Sequence, residues 1–184
     1  METARMLEVR LDEASFAGAN LKGVVFLQSR GTVADFSGAN LDACDLRSVR
    51  FRLVKFIGAS MLGARMSDAR FEASDFRKAD VSFSMLARVD LSLAICTGSS
   101  FARCDLRDAN LSGGDFRGAT LCDCRMQGSN LQSADFRSAN LMNARGLTSR
   151  QLVSARTDDK TILPSGKRGP YVRHSGEERP ARLD

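Results

Sequence analysis

Few residues in this 184-residue chain are equipped for covalent or acid–base chemistry. There is one histidine, His174, one tyrosine and no tryptophan. A histidine-activated nucleophile or a histidine metal centre would depend on His174 alone. It sits in a stretch rich in Pro, Gly and charge, where nothing would hold it in place. The five cysteines contain one close pair, Cys122-x-Cys124. Glycine-rich phosphate loops, H-E-x-x-H and G-x-S-x-G are absent from the sequence. What remains is chemistry of recognition. Arg10, Arg30, Arg50 and Arg70 recur every twenty residues, a series suited to anions. Phe83, Met85, Leu93 and Ile95 are large apolar residues in an otherwise polar register. No catalytic residue, metal or cofactor is expected, and the chain does not read as an enzyme.

The elements that must position these residues follow from an internal repeat. Every fifth residue from Leu11 to Leu141 is Leu, Phe, Met or Val at 25 of 27 positions, the exceptions being Gly31 and Cys96. Ten of the eleven phenylalanines lie in this column. Two residues before each stands a compact one: 13 Ala, 5 Val, 5 Ser, 3 Cys and Gly114. No insertion breaks the phase. A period of five fits neither a helix face nor a simple alternating strand. It fits a square coil in which each pentapeptide forms one side and points one large and one small residue inward. Four sides make a 20-residue coil, and Phe16, Phe36, Phe56, Phe76, Phe116 and Phe136 recur at multiples of that spacing, with Cys96 in the gap. Stacked coils then place equivalent side chains about 4.8 Å apart.

Segments such as Ala39-Asn40-Leu41-Asp42-Ala43 and Ala134-Asp135-Phe136-Arg137-Ser138 resemble the repeat of the pentapeptide repeat proteins: a small residue, Asp or Asn, Leu or Phe, then two variable positions. The resemblance runs from about residue 6 to 146. It implies an all-β fold, a right-handed quadrilateral parallel β-helix of about seven coils. It also implies a short C-terminal capping helix, which in several members supports a homodimer. In this sequence Thr148 and Gln151 have the form of a capping box and predict a helix over 149–155. The expected organisation is a β-helix over 1–146, a cap over 147–164 and a disordered charged tail over 165–184, where Gly and Pro cluster.

Function should then lie on outward columns. The four arginines form one ladder, with Val33, Leu53, Ala73 and Leu93 beside them on the same side of the coil. Two readings stay open: a solvated face compensated by Glu8, Asp68 and Glu72, or a rail for an acidic partner. Phe83, Met85, Leu93 and Ile95 read either as one apolar contact patch or as a distortion near Cys96 that turns Ile95 inward. In the five-residue frame Cys124 points in and Cys122 out, so the pair does not make a zinc site; Cys44, Cys104 and Cys124 share one inward column. Formal charge is +5, of which residues 147–184 supply +3 (8 basic, 5 acidic). The rod, with 19 basic and 17 acidic residues, is nearly neutral. No aromatic Tyr or Trp lies in the repeats to stack on bases, so nucleic acid is not the expected partner. The expectation is a non-catalytic, protein-binding scaffold, partner unidentified. The alternative implied by the resemblance is a DNA-mimicking protein that protects topoisomerases such as gyrase and so confers antibiotic resistance. An odd number of cysteines and no apolar leader or membrane-length stretch lead to the expectation of a cytoplasmic protein.

Overall fold

The computed structural model describes residues 4–180. Its backbone turns left-handed once per repeat: every fifth residue from Glu8 to Asn143 has φ between 52 and 73°. At most of these positions the residue is the third of a four-residue turn closed by a hydrogen bond, as where the Ala19 amide donates to the Phe16 carbonyl at 3.0 Å; Val33 and Leu53 sit in bends that no such bond closes. This is the type II arrangement, which requires positive φ at that place. A turn every five residues folds the chain into a square, and the remaining amides bond to the coils above and below. The Asn40 amide donates back to Ala19 (2.9 Å), and the Leu21 amide donates forward to Asn40 (2.8 Å). Parallel bridges at intervals of 20 run unbroken through Asn20, Asn40, Ser60, Asp80, Ser100, Thr120 and Asn140. The result is the right-handed quadrilateral β-helix. Among the described residues, the ladder extends to three residues only at β1 (Arg30–Thr32) and β2 (Arg50–Arg52), paired in parallel.

The inward columns form one continuous core. Phe16, Phe36, Phe56 and Phe76 stack with ring centroids 4.9, 5.3 and 4.8 Å apart. The stack resumes beyond Cys96 with Phe116 on Phe136 at 5.1 Å. The two glycines of the inward columns have steric causes. A Cβ on Gly114 would lie 2.7 Å from the Phe116 ring, and one on Gly31 would lie 3.2 Å from the Leu11 backbone and side chain.

At the C-terminal end the helix α1 (Ser149–Ser154) replaces one side of the next coil. The Thr148–Gln151 capping box is formed. The Gln151 side-chain amide also donates to the Ser129 carbonyl (2.8 Å), and Leu147 and Leu152 are buried on the last layer. Beyond the helix the coil resumes, Arg156 bridging Asp135 and Ile162 bridging Asn140. Asp158 anchors this return. It accepts from the backbone amides of Ser138, Lys160 and Thr161. Desolvation opposes ionisation there, but these donors outweigh it and hold the carboxyl down to about 2.

The structure corrects the expectation of a disordered tail for residues 165–180. Arg168 bridges Ile162 in antiparallel fashion, Lys167 pairs with Glu177 at 2.7 Å, and the Ser165 hydroxyl bonds the same carboxylate. Tyr171 packs against the core and donates from its hydroxyl to Ser149 of α1 (2.7 Å). Composition misleads here because a few specific contacts, above all the sole tyrosine, order an otherwise polar stretch. Residues 181–184 of that expected tail lie outside the described residues.

The core makes a direct prediction. Phe76 is 1% exposed, stacked on Phe56 and edge-on to Phe71 at 5.4 Å. Phe76→Ala should lower unfolding free energy by about 3–5 kcal/mol in chemical denaturation, because neighbouring rungs cannot collapse into the gap.

Candidate functional site

The thiols are used by the fold. Cys44, Cys104 and Cys124 donate to the carbonyls of Leu21, Val81 and Phe101, each 23 residues earlier in the preceding coil, at 2.9, 3.1 and 2.8 Å. Ser84 does the same to Met61 at 2.9 Å. A small polar atom in this column therefore donates across coils to a corner carbonyl of the preceding coil. Burial pushes the Cys44 thiol up to about 12 and drives Cys96 well above the usual thiol range. Such thiols are poor nucleophiles and poor metal ligands. Cys122, on the outward side, is also raised by desolvation.

Five Asp–Arg pairs neutralise outward charge within single repeats. In the tripeptides Asp45-Leu46-Arg47, Asp75-Phe76-Arg77, Asp105-Leu106-Arg107, Asp115-Phe116-Arg117 and Asp135-Phe136-Arg137, guanidinium and carboxylate meet at 2.5 to 2.7 Å. The inward middle residue places both partners on the same side, and the aspartate also accepts the arginine's own amide, as at Asp135 (3.1 Å). The guanidinium hydrogen bond holds Asp105, Asp115 and Asp135 below the ordinary carboxylate range, with desolvation the main opposing effect. The Asp-x-Arg spelling is the sequence signal for all five pairs.

The arginine ladder is built differently. Arg10, Arg30, Arg50 and Arg70 bridge one another in succession and are all exposed. Arg10 pairs with Asp12 at 3.2 Å. Among the described residues, Arg30, Arg50 and Arg70 form no ion pair. The expected carboxylates form no ion pair with them: Asp68 is held by Arg88 at 2.7 Å, Glu72 faces Arg52 at 3.9 Å, and Glu8 shares a shallow groove with Arg30 without pairing with it. The reason is positional. Arginine here occupies the place that aspartate holds in the paired tripeptides, and Thr32 and Arg52 stand where the paired arginine would be. Arg52, beside the ladder on β2, is a basic residue that the sequence reading missed. At the upper end the column changes character, to Asp90, Asn110 and Asn130.

The four apolar candidates are all outward, 40 to 58% exposed, so Ile95 is not turned in. They do not form one patch. Ten residues are half a coil, so Phe83 and Met85 lie across the rod from Leu93 and Ile95. The first pair lines a shallow groove with Arg103, Arg125 and Arg145, and Arg103 sits 5.6 Å above the Phe83 ring. Leu93 instead continues the corner of Val33 and Leu53 beside the arginine ladder. Phe83, Val33, Leu53 and Leu93 have φ of 64, 60, 57 and 58°. A left-handed backbone costs a bulky L-residue about 1–2 kcal/mol. Stability alone would favour Gly or Asn at these corners, where the chain instead carries exposed apolar side chains.

Comparison with known proteins agrees with this architecture. The family profile described as Pentapeptide repeats matches with 8 copies over residues 4–47, 34–72, 63–92, 74–113, 86–121 and 115–145. A search of curated proteins finds no match. Among solved structures, the chain is similar to HetL, a pentapeptide repeat protein involved in heterocyst differentiation regulation from the cyanobacterium Nostoc sp. strain PCC 7120. Identity is 22% over 90% of this chain and 91% of HetL, with a TM-score of 0.58. It is also similar to a trypsin-treated form of QnrB1, a plasmid-mediated fluoroquinolone resistance protein. Identity is 21% over 84% of this chain and 82% of QnrB1, with a TM-score of 0.52. At these identities the likeness is one of fold.

The paired aspartates set an acid dependence. Because the native state depresses the carboxyls of Asp105, Asp115 and Asp135, their contribution is present above the unfolded value of about 3.9 and is lost as pH falls below it. The melting temperature should therefore be level near neutrality and drop below about pH 4. Joint replacement of Asp105, Asp115 and Asp135 by Asn should flatten that drop, read by thermal unfolding across pH.

Proposed function

Because the chain belongs to the pentapeptide repeat family, we propose that it is a non-catalytic scaffold that binds another protein, in the cytoplasm. The observation that carries this reading is the unpaired ladder Arg30, Arg50 and Arg70 beside the strained apolar corner of Val33 and Leu53. Elsewhere on the rod, five Asp-x-Arg pairs and contacts such as Arg88 with Asp68 neutralise charge locally. Buried, hydrogen-bonded thiols and the absence of catalytic motifs in the sequence favour binding over chemistry. No helix among the described residues is long and apolar enough to cross a membrane. A homodimer through the C-terminal cap belongs to the same proposal: Val153 on α1 and Val172 beyond it are exposed at that end.

The alternative, topoisomerase protection by mimicry of DNA, draws on the fold shared with the QnrB1 structure. Mimicry needs a negative face that competes with phosphates. On this rod Asp75, Asp115 and Asp135 are matched by Arg77, Arg117 and Arg137 at 2.7, 2.6 and 2.6 Å. Their fields cancel at short range, and the remainder is screened beyond about 8 Å at physiological salt. Binding through the ladder is thus the better-supported reading.

Affinity capture from the source cells tests the scaffold. A protein partner should co-purify in stoichiometric amount, and consistent recovery of the chain alone would contradict the proposal. In a parallel assay the protein should give gyrase no protection against a quinolone at low micromolar concentration. Protection abolished by changing Asp75, Asp115 and Asp135 to Asn would establish mimicry instead.

A further inference from the structure

Building on the scaffold reading, we infer that the ladder face takes an acidic amphipathic α-helix of a partner protein, laid along the rod with a glutamate or aspartate stripe on Arg30, Arg50 and Arg70 and an aliphatic stripe on Val33 and Leu53. The charge argument is complementarity. These three guanidiniums are exposed and without an ion pair among the described residues, whereas the Asp-x-Arg arginines are each held by a carboxylate. Arg52 lies between the two stripes and adds to the same field. Glu72 and then Asp90 close the basic surface at its upper end, so an acidic ligand is confined to the lower coils.

Spacing selects a helix. Counting Arg10, which pairs with Asp12, the column's four rungs up to Arg70 span about 14 Å at the usual inter-strand distance. Three turns of α-helix advance about 16 Å, and acidic residues at i, i+4, i+7 and i+11 stay on one stripe. The mismatch of about 2 Å over the whole site lies within the reach of an arginine side chain. An extended peptide repeats its side chains on one face every 6.6 Å or so, about 20 Å for the same four contacts, and loses register. The aliphatic corner selects protein over nucleic acid. Val33 and Leu53 offer nothing to phosphate or sugar, and no exposed aromatic ring flanks the ladder to stack on a base.

The test is fluorescence anisotropy with the intact chain and a dye-labelled helical peptide. The peptide carries Glu at i, i+4, i+7 and i+11 and Leu along the adjoining stripe. An isomer of the same composition, with its acids spread around the helix, is the control. The striped peptide should bind at least about tenfold more tightly than the isomer, and its affinity should fall with salt. The triple variant Arg30→Gln, Arg50→Gln and Arg70→Gln should weaken it by about tenfold or more. The pair Val33→Asn and Leu53→Asn should also weaken it without lowering the melting temperature, since Asn accepts positive φ. Equal affinity for the two peptides, indifference to either variant, or tighter arginine-dependent binding of duplex DNA would overturn the inference. Capture from source cells with the wild type and the triple variant separates the two levels. A partner held equally by both removes the ladder but keeps the scaffold; a partner lost with the arginines supports both; no partner with either removes the scaffold and the inference with it.

Discussion

One conformational constraint governs this molecule: a left-handed residue every fifth position. It shapes every corner, squares the coil and fixes which two residues of five point inward. Once that is set, the amides and carbonyls between turns can bond only to the neighbouring coils, and side chains of equal phase must stack. The phenylalanine column, the compact column that makes room for it and the thiols that bond corner carbonyls of the preceding coil are all consequences. Stability is accordingly a sum over neighbouring rungs, and the cap matters because the last rung has no neighbour.

The same constraint makes the surface a set of straight columns, and columns amplify sequence choices. Asp-x-Arg within one repeat cancels charge locally and leaves a quiet face. Arginine at the aspartate's own position, repeated through Arg30, Arg50 and Arg70, leaves three like charges stacked without partners. The corner residues add a second contrast. Where Gly18, Gly38 and Gly58 meet the left-handed requirement at no cost, Val33 and Leu53 meet it under strain and in contact with water. Both departures occur side by side, which is why this face, and not the groove at Phe83, is the more informative one.

Much of this was legible in the sequence. The unbroken column from Leu11 to Leu141 gave the coil, and Thr148 with Gln151 gave the helix at nearly its observed bounds. The arginine ladder was also readable, since residues twenty apart must stack. Its freedom from ion pairs was not, because Asp68 and Glu72 are near in sequence phase yet committed to Arg88 and Arg52. Joining Phe83 and Met85 to Leu93 and Ile95 failed for a geometric reason already contained in the period: ten residues are half a coil. The tail was misjudged because composition reports average hydrophobicity, while order there rests on single contacts such as Tyr171 with Ser149.

The central claim is that the fold divides its arginines into a neutralised set and an unpaired one. Arginine-selective labelling with phenylglyoxal, followed residue by residue by mass spectrometry on the native protein, reads that division directly. Arg30, Arg50 and Arg70 should modify first, with Arg77, Arg107, Arg117 and Arg137 protected by their carboxylates until the protein is acidified or unfolded. Equal rates across the two sets, or protection of the ladder in the isolated protein, would contradict it.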